Sequence, residues 1–245
     1  MKHNINAILF DIGATLRVVV PDAEFSRAAD LEMMRLVNTT DSYDVFFEKL
    51  NENFRIYRKH AKSTLLDVSE MELWMQWLLP DYPKAITAKH AGTLTRLWRE
   101  HNGRRVAREG VEETIVELRR RGYELGIIAN TFTENEIPNW LVEDGLAEYF
   151  KAVILSSKVR LRKPDPAIYL LAARAMDMEP AKCAYIGDNA RRDVEGTFNA
   201  GYGLMIRILD ETRPPREEPS HTFTPHHHIR SIPELLDIFP PLENV

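Results

Sequence analysis

The sequence predicts an α/β fold, namely a doubly wound parallel sheet with an inserted α-helical cap. Residues 7–10 form a short apolar run that ends abruptly at Asp11, which is typical of a strand buried on both faces. Residues 111–208 alternate helical stretches with further short apolar runs, which is the pattern of a parallel sheet covered by helices. Residues 17–104, between these two parts, follow a helical pattern and predict the cap.

We therefore expect two domains. Residues 1–16 and 105–245 would form the α/β core, and residues 17–104 would form the cap. The cap segment contains four amphipathic helical stretches, and the sequence predicts no strand among them. The active site would then lie between the core and the cap.

Local signals mark the ends of the cap helices. Asp41 is placed to cap the second helix, and Ser69 with Glu72 has the spacing of a capping box at the start of the third. Pro83 suits the first turn of the fourth helix, which ends by Gly103.

The core segment begins with a helix at Val111, which is acidic in its first turn and is followed by Gly122. Strands are predicted at residues 124–129, 152–155, 183–186 and 204–208. Residues 210–228 are dense in proline and charge, which indicates an exposed loop before a last helix near residues 233–239.

Composition restricts the function classes. The chain has 245 residues, 44% of them hydrophobic, so it can bury a substantial core. Its net charge of −5 gives no basic field for nucleic acid or an anionic membrane, which favours a small-molecule partner. Cys183 is the only cysteine, and no apolar segment at the start of the sequence resembles a signal peptide or a membrane span, so we expect a cytoplasmic protein. The sequence leaves the oligomeric state open.

Polar residues follow three of the predicted strands. Asp11 follows the first strand, Asn130 follows residues 124–129, and Asp188 with Asp193 follows residues 183–186. Ligands bind at the carboxyl ends of strands in open α/β sheets, so these side chains are candidates for one crevice. Lys163 lies between the last two sets, before a helix that begins near Pro166. Carboxylate oxygens suit Mg²⁺, and a lysine beside them would stabilise a transferring phosphoryl group.

These residues resemble the haloacid dehalogenase-like hydrolases, most of which are Mg²⁺-dependent phosphatases. The resemblance covers essentially the whole chain, because the motifs occur in the family's order with a helical cap inserted after the first strand. It implies a Rossmann-like core and hydrolysis of a small phosphorylated substrate.

The resemblance also implies roles for individual residues. Asp11 would attack phosphorus to form an aspartyl phosphate, and Lys163 would neutralise the nucleophile and the phosphate. Asp11 and Asp188 would hold Mg²⁺, with Asp193 supporting the metal site and the backbone carbonyl of Gly13 supplying a further ligand. The substrate phosphate would be bound by Asn130, Thr131 and Lys163.

Two residues depart from the phosphatase pattern. Gly13 stands where the family has a second aspartate, which acts as the general acid and base. A positioned acid or base contributes about 10² to 10⁴ in rate, so its loss should raise the barrier by roughly 3 to 5 kcal/mol. Ala129 stands where the family has a serine or threonine that donates to the phosphoryl oxygen. We therefore expect reduced or specialised turnover, best with good leaving groups.

Three alternatives follow from these departures. The chain could be a catalytically silent protein that binds a phosphorylated ligand or a protein partner. A phosphonate-cleaving hydrolase would use a cap lysine, for which Lys49, Lys59 and Lys62 are available. Dehalogenase chemistry is disfavoured, because Asp188 has no counterpart in those enzymes.

Overall fold

The computed structural model describes residues 4–210 and 220–243. Six of its strands form one parallel sheet in the order β5-β4-β1-β6-β7-β8, and the other two form an antiparallel ribbon. The strands are β1 (Ala7–Phe10), β2 (Arg17–Val20), β3 (Arg104–Ala107), β4 (Glu124–Ala129), β5 (Phe150–Leu155), β6 (Cys183–Gly187), β7 (Leu204–Ile208) and β8 (His227–Ile229).

Helices alternate with the strands of the sheet after β3, and helices joined by short turns make up the segment between β2 and β3. They are α1 (Ala23–Val37), α2 (Tyr43–Thr64), α3 (Glu70–Glu72, continued by a π-helical segment over Leu73–Leu78), α4 (Lys84–Glu100), α5 (Val111–Arg120), α6 (Glu136–Glu143), α7 (Ser156–Val159), α8 (Pro166–Ala175), α9 (Arg192–Asn199) and α10 (Leu235–Ile238). No described helix combines the length and the apolar character that a membrane span requires.

The sheet is buried on both faces because successive side chains of a strand point to opposite sides. On β1, Ile8 and Phe10 join the apolar cluster beneath α5 and α10, whereas Ala7 and Leu9 join the cluster beneath α8 and α9. All four are fully buried. The predicted α/β fold with a doubly wound parallel sheet is therefore confirmed.

The segment between the two strands of the ribbon is helical, as predicted, and has an apolar cluster of its own. Leu50, Trp74 and Leu94 lie fully buried at its centre. The capping box of Ser69 and Glu72 is confirmed, since each side chain accepts a hydrogen bond from the other's backbone. The division into two domains stays a prediction.

Several local predictions were wrong. The ribbon of β2 and β3 was missed, because its strands are only four residues long and β3 is rich in charge, so neither carries the alternation of a buried strand. Ser42, not Asp41, caps α2. His227 and His228 belong to β8 rather than to a loop. The last helix is present as predicted, as a 3-10 turn over Ile232–Glu234 continued by α10. The rest of the predicted loop, residues 211–219, lies outside the described residues.

Candidate active site

The order of the strands determines where in the sheet the predicted site lies. From β1 the chain passes to β4 and β5 on one side, and it later returns to β6, β7 and β8 on the other. Such a reversal opens a crevice at the carboxyl ends of the central strands. Asp11 follows β1, Asn130 follows β4 and Asp188 follows β6, so all three lie at this crevice.

Lys163 joins two of the predicted carboxylates. Its Nζ lies 3.0 Å from Oδ1 of Asp11 and 2.9 Å from Oδ1 of Asp193. The lysine is 1% exposed, Asp11 is 4% exposed and Asp193 is fully buried. A charge this deep is stable only when it is paired, which both contacts provide.

Asn130 holds the backbone of the lysine in place. Its Nδ2 donates to the carbonyl of Lys163 at 2.9 Å, and its Oδ1 accepts from the amide of Lys163 at the same distance. The side-chain amide of Asn130, which was predicted to bind the substrate, therefore forms its hydrogen bonds with the backbone of Lys163.

Tyr185 on β6 was missed by the sequence analysis, which treated it as an ordinary apolar strand residue. Its hydroxyl accepts a hydrogen bond from Nζ of Lys163 and donates to the carbonyl of Ile128 at 3.0 Å. Burial is the main reason why the pKa of Tyr185 lies well above its usual value, so the phenol keeps its proton. The signal that could have identified Tyr185 was its position on a strand beside the one that ends at Asp11.

The start of α9 orients Asp193. Oδ2 of Asp193 accepts a hydrogen bond from the backbone amide of Asn189 at 3.0 Å. A Cβ built on Gly187 would lie 2.6 Å from that oxygen. Only glycine at position 187 therefore leaves room for the carboxylate. Burial opposes ionisation of Asp193, but Lys163 and Arg192 outweigh it and hold its pKa below the ordinary value.

Arg192 is a second residue that the sequence analysis missed. Its guanidinium lies 3.5 Å from Asp11, 3.6 Å from Asp188 and 3.4 Å from Asp193. Burial lowers its pKa, but these carboxylates raise it by more. The sequence carries no signal for it, because Asp188 precedes α9 and the spacing of four residues fixes a common side only within one helix.

The three carboxylates fit a divalent cation. Asp11, Asp188 and Asp193 each offer an oxygen, and these atoms lie within 4.8 Å of one another. Hard oxygen donors of this kind suit Mg²⁺. Arg192 contacts the same three groups, so it and a metal ion would compete for them.

The remaining predicted residues line a cavity next to Asp11. Gly13 is exposed there, and a Cβ on it would meet nothing within 4 Å. Ala129 presents only a methyl group. The hydroxyl of Thr131 accepts from the amide of Thr133 at 3.2 Å, so it stabilises its own turn.

The cavity has a volume of about 620 Å³ and is bounded by the edge of the sheet, by the ribbon and by α2 and α4. This volume is in the usual range for a small-molecule site. Aromatic side chains form part of its wall, namely Phe54, Tyr57, Trp98, Phe132 and Trp140. Arginines contribute most of its charge, namely Arg17, Arg58, Arg99, Arg105, Arg162 and Arg192.

Comparison with known proteins gives matches of three kinds. A family model described as haloacid dehalogenase-like hydrolase matches residues 5–201. The glyceraldehyde 3-phosphate phosphatase of Methanopyrus kandleri is 28% identical over 127 residues, which are 51% of this chain and 53% of that protein. The human N-acylneuraminate-9-phosphatase is 23% identical over 94% of this chain and 92% of its own.

Among solved structures, a 2-haloacid dehalogenase from Pseudomonas syringae matches with a TM-score of 0.66 and 20% identity. The match covers 96% of this chain and 100% of that one. At this identity it supports the fold alone. The chain spans about half the length of the Methanopyrus relative, so the activity of that protein is not carried over by the alignment itself.

Proposed function

Because this chain belongs to the haloacid dehalogenase-like hydrolase family, we propose that it hydrolyses a small phosphorylated metabolite through an aspartyl phosphate on Asp11. The contact that carries the proposal is the buried ion pair of Lys163 with Asp11 at the floor of the cavity. The curated relatives named as phosphatases of glyceraldehyde 3-phosphate and N-acylneuraminate 9-phosphate support a small phosphate ester.

In the first step, Oδ2 or Oδ1 of Asp11 attacks phosphorus, and the bond from phosphorus to the ester oxygen breaks. Lys163 is close enough to pair with the carboxylate and to offset charge on the phosphoryl group. Asn130 fixes the lysine backbone, and the hydroxyl of Tyr185 accepts a hydrogen bond from the ammonium, so the ammonium is oriented before substrate arrives.

Mg²⁺ would be held by Asp11, Asp188 and Asp193 with the backbone carbonyl of Gly13. When bound, it would stabilise negative charge on the phosphoryl oxygens. The acidic cluster supports this assignment. The net charge of −5 favours a small-molecule substrate over nucleic acid. We also propose that the protein is cytoplasmic.

The second step, in which water cleaves the aspartyl phosphate, is the slow one. Gly13 supplies no carboxylate to protonate the leaving oxygen or to activate the water. We therefore propose that acyl and aryl phosphates are the best substrates and that the aspartyl phosphate accumulates.

The test is phosphate release from acetyl phosphate and p-nitrophenyl phosphate with Mg²⁺ present, for the natural chain and for Asp11→Asn. We expect the variant to lose at least about 10³-fold in rate. Asp237→Asn, at an exposed position on α10, is the control and keeps full activity. Equal activity of the natural chain and Asp11→Asn overturns the nucleophile assignment. Intact-mass measurement after mixing should show a gain of one phosphoryl group.

A second candidate is a catalytically silent protein that binds a phosphorylated ligand, which Gly13 and Ala129 favour together. Calorimetric binding of phosphate without turnover of any ester would support it. The phosphonate-cleaving alternative has less support, because Lys49, Lys59 and Lys62 do not line the cavity.

A further inference from the structure

The arginines of the cavity differ in their partners. Arg17 pairs with Asp144, and Arg99 pairs with Glu136. Arg162 forms two hydrogen bonds with the carboxylate of Asp67, at 2.8 and 2.9 Å. These three guanidinium groups are neutralised within the protein, as is Arg192 at the acidic cluster.

Arg105 on β3 has no such partner. Its NH1 donates to the backbone carbonyl of Arg99, and no carboxylate of residues 4–210 or 220–243 forms an ion pair with it. Burial, and next the charge of Arg99, lower the pKa of Arg105 to about 10, and the more distant charges of Glu136 and Glu100 offset this only in part, so the group stays protonated at neutral pH. Such a cation is stabilised by an anion that enters the cavity.

The ribbon directs Arg105 toward the cavity. Alternate residues of a strand point to opposite sides, and the neighbouring Arg104 pairs with Asp22 on the outer side at 2.7 Å. The backbone carbonyl of Arg105 accepts from Arg17 at 3.0 Å, which fixes the strand at this point.

We propose that the substrate carries a second anionic group, a carboxylate or another phosphate, which forms an ion pair with Arg105 while its phosphoryl group faces Asp11. Phe54, Trp98 and Trp140 line the same cavity as Asp11 and Arg105, and they would cover the carbon skeleton of such a substrate. This inference rests on the proposed function, because it takes the end of the cavity at Asp11 as the phosphoryl site.

The first measurement is binding, which does not require turnover. Asp11→Asn protein is titrated with propyl phosphate, with 3-phosphopropanoate and with propane-1,3-diyl bisphosphate. The last two differ from the first by a terminal carboxylate or phosphate, so they distinguish the two sources of the second charge. We expect at least one of them to bind roughly 10- to 100-fold more tightly than propyl phosphate. Equal affinity for all three overturns the inference and leaves the proposed function standing.

The second measurement removes the cation. Arg105→Met in the same background should bring the three affinities to within about twofold of one another, and Arg105→Lys should retain part of the preference. Arg104→Met removes the same charge from the outer side of the strand and should leave the preference intact. Persistence of the preference in Arg105→Met, or its equal loss in Arg104→Met, contradicts the assignment.

Folding of Arg105→Met has its own readout. Because the substitution removes a partly buried cation that forms no ion pair with a carboxylate in the described part of the chain, we expect the melting temperature to stay level or rise. A large fall in the melting temperature contradicts the view that Arg105 is held there for a ligand rather than for the fold.

Discussion

The ammonium of Lys163 lies 3.0 Å from the carboxylate of Asp11, although 152 positions of sequence separate the two residues. The lysine also contacts Asp193, and Arg192 contacts the same two carboxylates. Cations and anions therefore alternate around the end of β1. Because Asp11 is almost fully buried, its carboxylate needs these two cations as partners to be stable at this position.

Removal of the lysine should weaken the fold as well as the chemistry. Lys163→Met leaves Asp11 and Asp193 buried with a single cation nearby, and we expect a loss of about 3 to 5 kcal/mol in the free energy of unfolding. Urea titration checks this, and Lys158→Met, an exposed lysine on α7, should change stability by less than about 0.5 kcal/mol. A loss no larger than that of the control shows that the ion pairs contribute little.

Restoration of a carboxylate at position 13 should speed turnover. A side chain on Gly13 has open space, so Gly13→Asp can be built without displacement of neighbours. We expect kcat for an alkyl phosphate to rise by about 10² to 10⁴. Gly13→Ala, which adds a side chain without an acid, should not increase it. A folded Gly13→Asp protein without any gain means that position 13 does not face the leaving oxygen.

Arg192 should oppose the binding of Mg²⁺. It lies within 3.6 Å of all three carboxylates that could hold the ion. We expect Arg192→Gln to bind Mg²⁺ about tenfold or more tightly by calorimetry, because one positive charge leaves the site. Arg191→Gln is the matched control, since Arg191 is exposed and pairs with Glu195 at 3.3 Å. Equal affinities of the two variants contradict competition between Arg192 and the metal.

Glu70 should make stability depend on pH. Its Oε1 accepts from the amide of Glu134 at 2.7 Å, and burial raises the pKa of its carboxyl above the usual value. A raised pKa means that the folded chain takes up the proton first, so stability increases as the pH falls toward the usual carboxyl range.

Unfolding measured at pH 7 and pH 5 tests this dependence. The natural chain should gain stability relative to Glu70→Gln at the lower pH. The control is Glu117→Gln, because Arg120 and Arg121 lower the pKa of Glu117 to about 2 and the difference should stay constant between these pH values. A constant difference for Glu70→Gln as well means that its carboxylate is not destabilised by burial.

The sequence determined which segments form the sheet. The predicted bounds of β4 and β7 agree with the structure, because a short apolar run buried on both faces is a local property. It also predicted that Asp11 and Asp188 lie at one crevice, because parallel strands bring their carboxyl ends to one edge, and it placed Lys163 on a loop that could reach them. The family assignment followed from the order of these motifs.

Only the tertiary structure decided how those residues are supported. Tyr185 is marked in the sequence only by its place on a strand, and Arg192 and Arg105 have no local pattern that marks them, since a buried tyrosine on a strand and arginines near element ends are common in any α/β chain. Asn130 shows the same limit, because its amide binds the backbone of Lys163, 33 positions away. Periodicity reports the face of an element on which a side chain lies. The residues that this side chain contacts depend on which other elements pack against that face. The packing of those elements is fixed only when the chain has folded.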